Sequence, residues 1–186
     1  MNEDKPTLTP VFKIAIAAVL IAVTTIFTRV VQIPIAPTRG YLNLGDVAIY
    51  FAAFTFGPFT ALLAGGIGTA IADLISPYAY YAPISLVVHG LQGFVAGLIA
   101  GRRLRFENQK AGKQGTAGLL LVLASLAGTV VMCGGYLLAQ IFMVGFGAAV
   151  VELPGNILQN VAGVLCGVAL SLAVQKAYPP VRNLHW

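Results

Sequence analysis

Charge is what this sequence has least of. Only 9% of its 186 residues are Asp, Glu, Lys or Arg, against 58% apolar, and mean hydropathy is +0.86. So little polar surface cannot cover a soluble globule, which excludes that class. Cysteine is almost as scarce. Cys133 and Cys166 both lie inside apolar runs, where they read as small packing residues and not as a disulfide. Histidine is limited to His89 and His185, and His89 has no Cys, Asp or second His at ligand spacing, so no metal is expected. No Ser-His-Asp or Cys-His arrangement can be set at a common depth, which argues against nucleophilic catalysis and against an enzyme. A glycine-rich phosphate loop with its lysine is missing, so the chain does not itself use ATP in the usual way. Nor is there an internal repeat of the kind that secondary transporters use for alternating access.

What is present is membrane-like. Apolar runs cover most of the chain, and 21 glycines suit closely packed membrane helices. The runs predict an all-α integral membrane protein of one domain, residues 1–186, with six helices over 10–31, 46–57, 59–75, 83–101, 116–143 and 151–175. The first run has no small-residue cleavage signature after it and reads as a retained helix. The second is short for a span, which suits a tilted or partly buried helix. Gly57-Pro58 marks the turn after it, and Asp46 at its start reads as an N-terminal cap.

The net charge of +5 would suit nucleic acid if it formed a patch, but nine of the eleven basic residues fall in three places. These are Lys5 and Lys13, the segment with Arg102, Arg103, Arg105, Lys110 and Lys113, and the tail with Lys176 and Arg182. An even number of spans puts all three on one side, and the positive-inside rule makes that side cytoplasmic, with both termini there. Contact of this segment with anionic lipid is the other reading. No nucleic-acid partner is expected.

Under that topology the ligand-capable polar residues gather in the outer half. They are Asp73, the tyrosines Tyr78, Tyr80 and Tyr81, His89, Gln92, Tyr136, Gln140, Glu152, Asn156, Gln159 and Asn160. Polar groups in lipid are costly unless paired, so their convergence at one depth implies a cavity open to the outside. Asn and Gln both donate and accept, which suits a neutral heteroaromatic ring better than an ion. The stretch 32–45, with Arg39, Tyr41 and Asn43, reads as an outer loop that closes over the ligand. Glu152, near the predicted start of the last helix, reads as a cap or a ligand contact. Ala18 and Ala22 share one face of the first helix at the spacing of close-packing small pairs. These residues alone also admit an autonomous channel or secondary carrier.

Taken in order, the motifs resemble those of a known family. They are the alanine-rich first helix, Tyr41-Leu-Asn-Leu-Gly-Asp46 leading into Phe54-Thr-Phe-Gly-Pro58, the glycine-rich third helix ending at Asp73, and Pro154-Gly-Asn156 with Gln159. Over residues 10–176 the chain is similar to the substrate-binding S components of energy-coupling factor (ECF) vitamin transporters, in the riboflavin-transporter-like branch. The resemblance implies a subunit of the prokaryotic plasma membrane that captures a vitamin or precursor from outside. It implies a transmembrane T component and two ATPases as partners, ATP being used by them alone, with Ala18 and Ala22 on the docking surface. It also implies a ligand site at Arg39, Asn43, Tyr80, His89, Gln92, Tyr136, Gln140, Glu152, Asn156 and Gln159. Riboflavin members carry an asparagine and a lysine in the last helix, whereas this chain has Asn156 and Asn160 but no lysine before Lys176. Hydroxymethylpyrimidine or a pyridoxine-like ring is therefore expected ahead of pantothenate or riboflavin.

Overall fold

The computed structural model describes residues 9–36, 38–109 and 114–186, with side chains outside 102–117. Lys5, Lys110 and Lys113 lie outside the described residues, and Arg102, Arg103 and Arg105 outside the described side chains. Helices α1 Pro10–Val30, α2 Gly45–Thr55, α3 Pro58–Leu74, α4 Ala82–Gln109, α5 Gln114–Val144 and α6 Phe146–Ala177 make up the bundle. The stretches Pro10–Val30, Ala79–Gly101, Gly118–Val144 and Phe146–Ala177 are long and apolar enough to cross a membrane, while α2 and α3 are shorter apolar helices. The protein is an all-α, multi-pass bundle of the membrane type.

The shortest helix sits at the centre. Of the eleven residues of α2, all but Phe51 are buried, and α1, α3, α4 and α6 pack around it. A helix apolar on every side is stable only when surrounded in this way. Close approach to α6 depends on a missing side chain, since a methyl at Gly167 would lie 2.7 Å from Tyr50 Cβ. Tyr50, Ala52, Ala53 and Phe54 of α2 join Leu20, Ala61, Ala64, Ala96, Ala100 and Ala124 in the main apolar cluster. Alanine dominates it because five helices converge on so short a segment.

The helix ends differ from the sequence expectations in three places. First, α4 continues through 102–109 instead of stopping at Gly101, so the expected polar linker is mostly helix. Second, α6 starts at Phe146 and not at 151, because Gly145 alone reverses the chain with φ 88, a conformation open to glycine. Glu152 is therefore inside the helix and cannot cap it, and Pro154 is an interior proline. Third, the loop before α2 contains a small antiparallel hairpin, β1 Ile33–Ile35 with β2 Gly40–Leu42, in the register Ile33↔Leu42. Arg39 in its turn has φ 55.

On α1 the buried stripe is Ala17, Leu20, Thr24 and Thr28, whereas Ala18 and Ala22 are exposed on another face. Their small size does not serve packing within this chain. After α6 a short 3-10 turn, Pro179–Leu184, leads the tail back under the bundle. There the Trp186 backbone N–H donates to the Phe56 carbonyl at 2.9 Å, and Lys13 Nζ lies 5.0 Å from the Trp186 ring centre. Both described ends of the chain thus lie at the end of the bundle opposite the hairpin.

Candidate functional site

The stripe that α6 turns inward is Ala149, Glu152, Asn156, Gln159, Asn160, Gly163, Gly167, Ser171 and Gln175. Steps of three and four residues keep these side chains on one face, so one helix delivers polar groups from the hairpin end to the far end. At the hairpin end they meet a recess whose empty space, open mouth included, is ≈ 350 Å³. Glu152, Asn156 and Gln159 line it together with Asn43, His89 and Tyr136. Tyr41 and Gly40 from β2, Thr28 from α1, Thr69 from α3, Tyr81, Ser85 from α4 and Met132 from α5 complete the wall.

The hairpin forms the lid of this recess and is tied down at several points. The Asn43 backbone N–H donates to Gln159 Oε1 at 2.7 Å, and the Gly45 N–H donates to Asn43 Oδ1 at 2.7 Å. The Thr38 hydroxyl meets the Glu152 carboxylate, and the Tyr81 hydroxyl donates to the Thr38 carbonyl at 3.1 Å. The Tyr41 hydroxyl reaches Asp73 Oδ1 at the end of α3. Burial and the adjacent Asp73 carboxylate push the Tyr41 phenol above its ordinary range, so it stays a neutral donor. Tyr80 is exposed and donates to the Arg39 carbonyl.

Beneath the recess lies the residue whose expected role changes most. Asp46 is no cap: Leu44 holds the N-cap position without a side-chain bond, and the Asp46 carboxylate is fully buried. It accepts from Gln92 Nε2 and from Gln159 Nε2, each at 2.7 Å, and stands 3.6 Å from His89 Nδ1. A buried carboxylate needs such partners, because an unpaired one would neutralise or destabilise the fold. A methyl at Gly163 would strike Asp46, so that glycine is what lets α6 close on this group.

Of the residues singled out from the sequence, Asn43, His89, Tyr136, Glu152, Asn156 and Gln159 share the cavity wall, while Arg39, Tyr80, Gln92 and Gln140 do not line it. Gln92 stands behind His89, joined to its Nδ1 at 2.7 Å through Oε1. Gln140 is buried, with neither amide atom bonded in the described structure. Arg39 is exposed on the turn. Thr28, Thr69, Ser85 and Met132 were missed. Thr28 alone had a visible signal, as the fourth member of the spaced stripe on α1.

The wall has a definite chemistry. Its side chains are amides, hydroxyls, an imidazole, three phenols, a thioether and one carboxylate, with neither lysine nor arginine among them. Asn156 Nδ2 is buried without a partner, and Ser85 Oγ and the Tyr136 hydroxyl bond each other at 2.6 Å. The Tyr136 ring stands 5.3 Å from that of His89. Such a wall offers both hydrogen-bond donors and acceptors, and no cationic side chain to pair an anion. Among the described residues no three His, Cys, Asp or Glu side chains group as metal ligands.

Comparison with known proteins bears directly on this site. The family described as ECF-type riboflavin transporter, S component, matches residues 9–176. The thiamine precursor transporter HmpT of Lactococcus lactis subsp. cremoris (strain MG1363) is 32% identical over 165 residues, covering 88% of each chain. A protein of Pyrococcus woesei, described as an uncharacterized protein in gap 3'region, is 34% identical over 157 residues, 84% of this chain and 97% of its own. S components are membrane-embedded binding subunits for vitamins or their precursors, non-catalytic, and work with T and ATPase components. With a polar recess at one end of a membrane bundle and a family match over nearly its whole length, this chain belongs to the S-component family of ECF-type vitamin transporters.

Proposed function

We propose that the protein captures hydroxymethylpyrimidine, a thiamine precursor, from outside the cell for ATP-driven uptake. The observation that carries this reading is the composition of the cavity wall: Asn43, His89, Asn156 and Gln159 face the space, Glu152 joins them, and no cation does. A neutral aminopyrimidine with a hydroxymethyl group matches donors and acceptors of this kind. Pantothenate, an anion, would meet Glu152 with Arg39 turned away on the surface. The thiamine-precursor function of the Lactococcus lactis relative supports the same choice. Titration of the purified protein in lipid nanodiscs should give binding of hydroxymethylpyrimidine at least about tenfold tighter than of riboflavin, pyridoxine or pantothenate. Tighter binding of riboflavin would sink this reading and move the chain to the substrate named in the family description.

In the same reading all six helices embed in the bilayer, the hairpin end faces outward and both termini face the cytoplasm. The exposed face of α1 with Ala18 and Ala22 docks on the T component, which two ATPases drive. Ala18 and Ala22 are small and exposed there, as a surface that must slide against a partner requires. The paired change Ala18→Trp and Ala22→Trp should abolish assembly with the T component while vitamin binding persists; a complex of normal affinity would refute the docking face. The chain alone in liposomes should bind vitamin and transport none.

A further inference from the structure

The buried carboxylate beneath the recess dictates which way its neighbours can point. A carboxylate only accepts hydrogen bonds, so Gln92 and Gln159, each 2.7 Å from it through Nε2, must turn their carbonyl oxygens away. For Gln92 that oxygen lies 2.7 Å from His89 Nδ1. An oxygen there is satisfied only by a protonated nitrogen, and the carboxylate 3.6 Å from the same Nδ1 favours the proton at that position. The neutral ring then carries its proton on Nδ1 and leaves Nε2 as a bare acceptor in the cavity that His89 lines. For Gln159 the turned oxygen receives the Asn43 N–H at 2.7 Å. Asn43 Oδ1 is occupied by the Gly45 N–H, so the Asn43 side chain has its Nδ2 donor to offer.

We propose that Asp46, which does not itself line the cavity, is the positioning residue that sets the hydrogen-bond polarity of the ligand site. Through Gln92 it makes His89 an acceptor, and through Gln159 it anchors the backbone of Asn43 at the cavity wall. The ligand class follows: a heteroaromatic ring that carries an amino N–H donor where it meets His89, in preference to the same ring with an oxo group. This deepens the aminopyrimidine reading and rests on it for the ligand, though not for the tautomer. Asparagine at position 46 presents one NH2 group, so at least one glutamine must reverse. If Gln92 reverses, its NH2 faces His89 Nδ1, and the proton moves to Nε2.

The test reads the proton directly. The chain has two histidines, so ¹⁵N-histidine labelling of the untagged protein in nanodiscs, with His185→Gln for assignment, resolves the His89 tautomer. The expected spectrum is the Nδ1–H tautomer in the native protein and a shift to Nε2–H, or a mixture, in Asp46→Asn. An Nε2–H or doubly protonated His89 in the native protein overturns the proposal, as does a tautomer preference unchanged by both Asp46→Asn and Gln92→Met. Should Asp46→Asn fail to fold, the native spectrum still decides the first point, and Gln92→Met serves as the second variant, in which the Nδ1–H preference should weaken. In parallel, affinity is measured for hydroxymethylpyrimidine and its 4-oxo counterpart. The native protein should favour the amino compound by about tenfold or more, since the wrong partner leaves a buried group unpaired, and Asp46→Asn should shrink or invert that ratio. A native preference for the oxo compound refutes the relay. If neither compound binds, the substrate reading falls, and the tautomer alone decides the role of Asp46.

Discussion

The two ends of the bundle are built from the same polar residue types put to opposite uses. At the end away from the hairpin, Thr55 Oγ1 donates to Ser171 Oγ at 3.0 Å, and Gln175 Nε2 donates to Ser171 Oγ at 2.9 Å and to the Phe54 carbonyl at 3.1 Å. Midway, the Tyr50 hydroxyl and Thr129 both donate to Asn160 Oδ1, at 2.7 and 2.8 Å. These bonds clamp α6 to α2 and α5; Asn160 Nδ2 and Gln175 Oε1 stay unpartnered among the described residues, but neither residue borders the recess. At the hairpin end, Asn156 and Glu152 of the same stripe border open space, and Asn156 Nδ2 has no partner. A polar group in a membrane helix is thus not a sign of a ligand site by itself. Unspent hydrogen-bonding capacity beside a cavity is.

That contrast can be broken at either end. The largest effect is expected from Gly167→Val, which forces a branched side chain against Tyr50. It should destabilise the fold by about 1–3 kcal/mol or more, read as a lower melting temperature in detergent. Asn156→Ala should weaken hydroxymethylpyrimidine binding by about 10- to 100-fold with little change in melting, because in the proposed reading the lost amide bonds the ligand, and its Nδ2 has no partner among the described residues. Normal affinity in that variant would place the site elsewhere on the wall. Thr55→Val keeps the side-chain shape and removes one bond of the clamp. It should lower stability by about 1 kcal/mol and leave affinity within about twofold. The smallest change is expected from Tyr80→Phe, which frees the hairpin turn at Arg39 and should speed ligand release by about twofold in stopped-flow measurement.

How much of this was legible in the sequence depended on whether a residue's partner was local. The α6 stripe could be read because its period is that of the helix, and so could the shortness of α2 and the Gly57-Pro58 turn, where Gly57 has φ 101. Asp46 was misread as a cap because its neighbours in the chain suggest one, whereas its actual partners lie 46 and 113 residues away. Likewise, only the outer half was singled out for its polar residues. Thr55, Ser171 and Gln175 looked like isolated polar residues in apolar runs until the fold brought them together across 116 and 121 residues. The hairpin escaped notice because two three-residue strands carry too little alternation to stand out from a proline-rich loop.

The burial of α2 also bears on how the protein is made. At about 1.5 Å per residue, its eleven residues rise about 16 Å, roughly half the hydrocarbon thickness, and they carry a carboxylate. Such a segment is too short to cross the hydrocarbon core by itself, and the partners of its polar groups lie on helices that follow it in the chain. Gln92 arrives with α4, but Gln159 and Asn160 arrive only with α6, the last helix to leave the ribosome. Until then Asp46 lacks Gln159 and Tyr50 lacks Asn160, so a chain truncated before α6 leaves both groups short of a partner. Asp46 is therefore fully paired only when α4 and α6 are both in place.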